Sequence, residues 1–293
     1  MNLFSRVKSW FGTDRLNVQE RFELLREAVH GTMSQFYMAR DRSNGHVVGL
    51  KILDVEKTKA VEERFRGLNK PSEGEIAASL VHLRIVHTFE HGLTTRGEPY
   101  LVMEYLPGQG LNTLIAARSP LLEGHRLTLL RHAAEALAAV HTAGYIHRDI
   151  CPRNFVVAPE ADALKLIDFG LTVPATAAFT QPGNRTGTPK YMAPEVVRRR
   201  PTDTRLDIFS LGVTAFELFA GETPWTTATV TGKAAMAHDT VPPRRLEELV
   251  PGIDATLAAA IHCCLAAKPE DRPATGEALL KLIEGVEPDR ASV

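Results

Sequence analysis

The sequence predicts an α+β protein in which a β-rich amino-terminal part precedes a mainly helical carboxyl-terminal part. Two observations support this prediction. Within residues 22–53, short strand-like runs alternate with turn residues, and Asn44-Gly45 is a strong hairpin signal because both residues tolerate positive φ. Over residues 127–142, apolar residues recur instead at the spacing of one helix face. A chain of 293 residues can form one bilobal unit or two modest domains.

The elements of the first part are mostly strands. Strand-like runs cover residues 22–25, 35–39, 46–53 and 99–106. Between the third and fourth runs, a helix is predicted to begin near Pro71-Ser72 and to end near His82.

The second part continues with helices. Gly144 ends the periodic stretch that begins at Leu127. A largely apolar helix follows from Asp207 to about Leu218, and a last helix is predicted over residues 278–282.

Bulk properties exclude several classes of protein. A formal net charge of −1 gives no reason to expect a nucleic-acid partner, because such proteins usually carry a basic patch. The sequence holds no run of eighteen apolar residues, so no membrane-spanning helix is predicted. Three cysteines, two of them adjacent, cannot build a disulfide framework, and this favours a reducing, cytoplasmic setting.

The first eleven residues could form a short amphipathic helix. Two basic residues lie off its apolar face, and they supply little attraction to lipid. Membrane-surface contact of residues 1–11 is therefore less favoured than a helix that packs against the β-rich part of the chain (the small lobe), or a partly ordered tail. The apolar face consists of Leu3, Phe4, Val7, Trp10 and Phe11.

Two short motifs carry the chemistry. Residues 147–154 read His-Arg-Asp-Ile-Cys-Pro-Arg-Asn, and residues 168–170 read Asp-Phe-Gly. Asp149, Asn154 and Asp168 thus offer oxygen-bearing side chains at spacings suited to holding magnesium and a hydroxyl group against a nucleotide phosphate.

With Lys51 upstream and Ala193-Pro194-Glu195 downstream, these motifs make the chain resemble a eukaryotic-type (Hanks-type) serine/threonine protein kinase from about Phe22 to about Ile283. The resemblance implies a bilobal fold, with a small antiparallel β lobe carrying one main helix and a large, mainly α lobe. It implies ATP and Mg²⁺ as cofactors, and a protein as substrate. The expected segments are an extension (1–21), the small lobe (22–106), the large lobe (107–285) and a tail (286–293).

The resemblance also implies roles for single residues. Asp149 would orient the substrate hydroxyl and accept its proton, while Asn154 and Asp168 would hold Mg²⁺. Lys51 would bridge the α- and β-phosphates and needs a carboxylate partner. Glu73 fits that partner best, and Glu75, on a different helix face, is the competitor.

A further set of residues is expected around the nucleotide base. Phe36 and Gly49 stand where kinases usually place Val and Ala, and either they compensate each other in volume or the change has no functional meaning. Met103 resembles the gatekeeper behind the adenine. The remaining nucleotide contacts are expected from Gly31, the backbones of Glu104 and Leu106, and Val156.

Two positions depart from the family pattern. Only Gly31 remains of the glycine-rich loop over the phosphates, and Cys151 replaces the lysine that usually neutralises γ-phosphate charge. We hypothesise that Arg153 takes over this charge. The departures also leave an alternative open, a pseudokinase scaffold that binds partners and transfers phosphate weakly or not at all.

Residues 170–193 resemble an activation segment. Arg148 is the type of residue that pairs with a phosphorylated segment; Thr180 and Thr186 are the nearest candidates, since Asn184 holds the usual acceptor position. Thr188 is expected beside Asp149. The segment favours a protein substrate over a small molecule or lipid, and a transient homodimer for trans-autophosphorylation stays open.

Two scaffold contacts complete the expectations. Asp207 resembles the buried aspartate that anchors the catalytic loop, and Arg272 the arginine that forms an ion pair with Glu195.

Overall fold

The computed structural model describes residues 15–30, 34–183, 186–225 and 234–287. The predicted segment 1–11, Gly31 and Asn184 lie outside these residues. Within them, no helix combines the length and the apolar character that crossing a membrane requires.

The first part contains five strands: β1 (Phe22–His30), β2 (Ser34–Asp41), β3 (Val47–Leu53), β4 (Thr88–Leu93) and β5 (Pro99–Glu104). They form one antiparallel sheet with strand order β1-β2-β3-β5-β4. Three helices accompany the sheet: α1 (Val18–Arg21), α2 (Val55–Glu62) and α3 (Glu73–Ser79).

The predicted hairpin joins β2 to β3, but its turn is longer than the Asn44-Gly45 pair. Asp41 N donates to His46 O at 2.9 Å, and only Gly45 takes a positive φ, of 76°. The Asp41 carboxylate closes the turn by accepting from the N–H and hydroxyl of Ser43 at 2.9 and 2.6 Å.

Helix α3 begins where the sequence predicts, but it ends at Ser79 and not near His82. At Leu80 the backbone becomes extended, with φ −92° and ψ 95°, and the Leu80 side chain is buried. A capping box fixes the other end, because Ser72 Oγ accepts from Glu75 N while the Glu75 carboxylate accepts from Ser72 N at 2.8 Å.

The second part is mainly helical. Its helices are α4 (Leu111–Ala116), α5 (Arg126–Thr142), α6 (Pro194–Val197), α7 (Arg205–Ala220), α8 (Leu246–Leu249), α9 (Ala255–Cys264) and α10 (Gly276–Leu282). Helix α7 is apolar on nearly every side and lies in the centre of the lobe, against α5 and α9.

The same lobe contains five short strands: β6 (Gln109–Gly110), β7 (Tyr145–Ile146), β8 (Phe155–Val157), β9 (Leu164–Leu166) and β10 (Val173–Pro174). Strands β6, β8 and β9 form a three-stranded sheet in the order β6-β8-β9, and β7 pairs with β10. The loops between β7 and β8 and after β9 carry the two sequence motifs.

One hydrophobic core runs through both lobes, from Ile76 of α3 through Leu101 of β5 to Phe155 and Phe169. A smaller cluster, with Phe22, Leu50 and Tyr100, covers the other face of the sheet. The structure thus has the bilobal α+β architecture that the resemblance implies, and the predicted boundary at 106/107 falls between β5 and β6.

Candidate active site

A buried carboxylate fixes the backbone of the loop that carries Asp149. Asp207 of α7 is fully buried, and its two oxygens accept the backbone N–H groups of His147 and Arg148, each at 2.8 Å. His141 Nε2 lies 3.0 Å from the same carboxylate. These partners satisfy a charge that would otherwise be costly to bury, and they set the backbone immediately before Asp149.

Asp149 is held in one orientation by four donors. Oδ1 accepts from the N–H and hydroxyl of Thr188 at 2.9 and 2.6 Å. Oδ2 accepts from Arg153 Nη2 at 2.9 Å and Asn154 Nδ2 at 3.0 Å. The structure therefore brings together four residues that the sequence placed in one site.

A glycine allows Thr188 to reach this position. Gly187 takes a φ of 121°, and a Cβ there would lie 2.6 Å from Arg148 O. Only glycine accommodates both the backbone conformation and this close approach. The segment after the motif Asp-Phe-Gly is thereby joined to the loop that carries Asp149.

Asn154 and Asp168 are the two oxygen donors that the sequence assigns to a cation. Asn154 Nδ2 donates to Asp149 O and Oδ2, at 2.7 and 3.0 Å, so the amide oxygen is the atom that can meet a metal ion. The side chain of Asp168 is 46% exposed. Partial burial would raise the pKa of Asp168, but Lys51 and the N–H of Gly170 lower it to about 2.

These two donors fit Mg²⁺, which takes few protein carboxylates and completes its shell with water and phosphate oxygens. The described residues hold no cluster of three or more His, Cys, Asp or Glu side chains that could bind a metal by itself. A cation held by Asn154 and Asp168 would therefore take its further ligands from water and phosphate oxygens.

Lys51 links the two lobes across the cleft. Its Nζ lies 2.5 Å from Glu73 Oε1 and 3.0 Å from Asp168 Oδ1. Burial would lower the pKa of Lys51, but the two carboxylates raise it, so the ammonium stays charged. Of the two carboxylates considered for Lys51, Glu73 makes the contact, while Glu75 closes the capping box with Ser72.

The sequence contained a signal that separates these two glutamates. Ser72-x-x-Glu75 before a helix is the capping-box pattern, which commits Glu75 to the backbone of residue 72. Glu73 is then the first residue of α3 and faces β3.

The expected base pocket contains a close interlock of side chains. A Cβ at Gly49 would lie 2.8 Å from Phe36 Cζ and 3.1 Å from Met103 Cγ. The Phe36 ring therefore covers the space that an alanine would fill at residue 49. This contact supports the compensation in volume, the first of the two interpretations of the Phe36 and Gly49 exchange.

A double-substitution cycle tests this interlock. Gly49→Ala alone is expected to displace Phe36 and to weaken ATP binding by about tenfold, because overpacking forces side chains from their positions. Phe36→Val combined with Gly49→Ala should recover most of the affinity. Calorimetric titration with ATP and Mg²⁺ measures both; equal affinities for all variants would show that the exchange has no functional meaning.

The segment connecting the lobes shows which groups could meet the base. Glu104 N donates to His87 O at 2.9 Å, so of the two backbone groups of Glu104 the carbonyl is the one left to meet a nucleotide. Its side chain accepts from His87 N and forms a close ion pair with Lys165, a contact that sequence reasoning missed. Leu106 and Val156, both expected near the nucleotide, are partly buried.

Cys151 and Arg153 differ sharply in environment. Cys151 is buried, and burial together with Asp149 raises the pKa of its thiol to about 12, so it stays neutral. Its Sγ lies 3.9 Å from Thr188 Oγ1. Arg153 is 53% exposed and contacts Asp149. The only positive charge of the 149–154 loop that contacts Asp149 is thus that of Arg153.

The predicted ion pair between Glu195 and Arg272 is present. Arg272 donates to both carboxylate oxygens of Glu195, at 2.7 and 2.9 Å, in a fully buried ion pair. Phe169 is buried and packs edge-to-face on His147, with ring centroids 5.3 Å apart. Asp168 takes a φ of 67°, a left-handed conformation that is uncommon outside glycine and often found at functional sites.

Comparison with known proteins agrees with this geometry. Residues 22–281 match the protein kinase domain family. The chain is 34% identical over 261 residues to the serine/threonine-protein kinase Pkn1 of Myxococcus xanthus. The aligned residues are 87% of this chain and 36% of Pkn1. It is 31% identical over 270 residues to PknL of Mycobacterium bovis, covering 92% of this chain and 66% of PknL.

A third relative is PknB of Mycobacterium tuberculosis, 32% identical over 266 residues, or 87% of this chain and 41% of PknB. The chain spans between about a third and two thirds of the length of these relatives. With the family matched over most of its length, the chain belongs to the protein kinase domain family and is similar to its Hanks-type serine/threonine members.

Proposed function

We propose that this chain transfers the γ-phosphoryl group of ATP, with Mg²⁺, to serine or threonine hydroxyls of a protein substrate. The observation that carries the proposal is the orientation of Asp149 by Thr188, Arg153 and Asn154. The Asp149 carboxylate would then lie beside the nucleotide held by Lys51 and Asp168, whose side chains form an ion pair.

Asp149 would bind the substrate hydroxyl and turn its oxygen towards the γ-phosphorus. As the oxygen–phosphorus bond forms and the bond to the ADP oxygen breaks, the hydroxyl proton passes to the carboxylate. Thr188 fixes the carboxylate through Oδ1, and its own hydroxyl is thereby held beside the substrate position.

Lys51 would contact the α- and β-phosphates, with Glu73 holding its ammonium in place. Asn154 and Asp168 would hold Mg²⁺, which supplies charge stabilisation on the transferring phosphoryl group. Phe36, Gly49, Met103 and Val156 would enclose the base, and Gly31 and the Glu104 and Leu106 backbones would complete the nucleotide contacts.

The protein substrate is inferred from the segment after Asp-Phe-Gly. Gly187 and Thr188 join this segment to Asp149, so that a bound peptide could be aligned beside the carboxylate. That a second copy of this chain serves as a substrate, in a transient homodimer, stays a prediction. The cytoplasmic setting also stays a prediction.

The test is phosphate transfer from labelled ATP with Mg²⁺, to the protein itself and to a generic basic protein, in the chain and its Asp168→Ala variant. We expect label that disappears in the variant. Thermal stabilisation by nucleotide without any transfer would contradict the proposal and support the scaffold alternative.

Arg153 is expected to supply the charge that Cys151 does not. Arg153→Ala should lower kcat about 10²-fold with little change in the KM for ATP, because the lost interaction stabilises the transition state. Steady-state kinetics with varied ATP measure this change. Arg153→Lys, which keeps the charge, should retain most of the rate.

A rescue variant separates charge from packing. Cys151→Lys in the Arg153→Ala background restores the lysine that the family usually has, and it should recover part of the lost rate. An Arg153→Ala variant as fast as the unmodified chain would rule out this role.

A further inference from the structure

The activation segment, residues 170–193, carries one large apolar side chain in its described central part, Phe179. Phe179 is only 8% exposed, although its neighbours Ala178 and Gln181 are exposed. It packs on Phe65, with ring centroids 5.7 Å apart and the ring planes at 43°. Phe65 follows α2, in the small lobe, so this contact joins the segment to the other lobe.

Phe65 also contacts the arginine beside the catalytic aspartate. Arg148 Cζ lies over the Phe65 ring, 5.9 Å from its centroid, within the range of a cation–π interaction. Arg148 is itself buried. Phe65 therefore lies against Phe179 and Arg148 together, and we call these three residues the aromatic clasp.

In the family that the chain resembles, Arg148 is the residue expected to bind a phosphate on the segment. Here one face of that arginine is covered by an aromatic ring. Thr180, the nearest phosphorylation candidate, directs its hydroxyl to Thr176 O at 3.3 Å, within its own turn. Its carbonyl accepts from Thr202 N at 3.1 Å.

Other contacts fix the ends of the segment. Ala175 N donates to Gly144 O at 2.7 Å after the β7-β10 pair, and Thr188 binds Asp149. Between these ends, Phe179 is the buried side chain that ties the turn at residues 176–181 to the core. Buried apolar contact does not depend on a modification, so the clasp can act in the unmodified chain.

We propose that Phe65 and Phe179 are positioning residues that hold the activation segment in its substrate-binding arrangement, without a phosphate on Thr180 or Thr186. The inference rests on the proposed kinase function. The chain would then be active without phosphorylation of its activation segment. The aromatic clasp would hold the segment in place of a contact between a phosphate and Arg148.

The test compares Phe179→Ala, Phe179→Leu and the control Phe89→Ala, which removes an aromatic ring that is 58% exposed in β4. Each protein is treated with a phosphatase, and its unmodified state is verified by intact mass. Phe179→Ala should lower kcat/KM for a protein substrate at least about tenfold, mainly through KM, while the Kd for ATP with Mg²⁺ changes less than about twofold. Phe179→Leu should retain most of the activity, and Phe89→Ala all of it.

A second measurement does not depend on catalysis. Trypsin should cleave the segment between Gly170 and Glu195 at least about tenfold faster in Phe179→Ala than in the unmodified chain or in Phe89→Ala, because loss of the buried contact opens it locally. Equal cleavage rates in all three would overturn the clasp, whatever the activity.

A further variant, with Thr180→Ala and Thr186→Ala together, separates the two proposals. We expect it to keep at least about half of the initial rate. If the chain transfers phosphate only when its activation segment is phosphorylated, the clasp proposal is wrong and the kinase function stands. If no state transfers phosphate, the kinase function is wrong, and the trypsin measurement alone decides whether the clasp exists.

Discussion

Asp149→Asn is expected to reduce kcat for phosphoryl transfer by about 10³-fold. The amide cannot accept the substrate proton. The NH₂ group of the asparagine would also replace one of the two carboxylate oxygens. It would then point its N–H groups at existing donors, either those of Thr188 or those of Arg153 and Asn154. The carboxylate therefore serves both as base and as the common acceptor of the site. Steady-state kinetics with a protein substrate measure the loss.

The accompanying measurements separate chemistry from folding. The Kd for ATP with Mg²⁺ should change less than about threefold, because Asp149 does not face the nucleotide phosphates in the proposed arrangement. Asp162→Asn, at an exposed position after β8, is the matched control and should behave as the unmodified chain. Retention of a tenth or more of the rate, roughly, in Asp149→Asn would contradict the role of this carboxylate.

The sequence was sufficient for those parts of the site that lie within short, ordered motifs. Asp149 and Asn154 are five residues apart in a loop whose course is set by Asp207, so their spacing fixes their contact. Glu195 and Arg272 are far apart in the chain, yet each stands in a motif of its own. Here resemblance to a family supplied the pairing that local physics does not.

The parts that could not be predicted are contacts between residues without a motif. Phe65 and Phe179 are more than a hundred positions apart, and neither stands in a pattern that indicates the other. The close approach of Phe36 to Gly49 depends on the register β2-β3, in which Phe36 lies opposite Lys51 and diagonal to Gly49. A shift by one residue would move Phe36 to the other face of the sheet.

The length of α3 is a third such case. Apolar periodicity continues through Leu80, and only the backbone conformation there shows that the helix has ended. Helix ends are set by a balance of capping and packing that periodicity does not record. The error leaves the site unchanged, because the capping box at Ser72 fixes the end of the helix that carries Glu73.

Asp168→Asn is the second substitution for which a large effect is expected. The variant removes the charged metal ligand and one of the two carboxylates beside Lys51. We expect kcat to fall about 10³-fold, because the charge of the bound cation stabilises the transferring phosphoryl group. We also expect the added affinity that Mg²⁺ gives to ATP binding to disappear in calorimetric titrations. Asp162→Asn should change neither quantity.

The charge of the Asp168 carboxylate should not change in the pH range in which the chain is assayed. Its pKa is lowered to about 2, so the folded chain keeps this carboxylate ionised as the pH falls, and protonation is reached only near that value. Between about pH 5 and pH 8, the Mg²⁺ contribution to ATP binding should therefore not vary through Asp168. A Mg²⁺ contribution that survives in Asp168→Asn would place the cation on other ligands and remove Asp168 from the metal site.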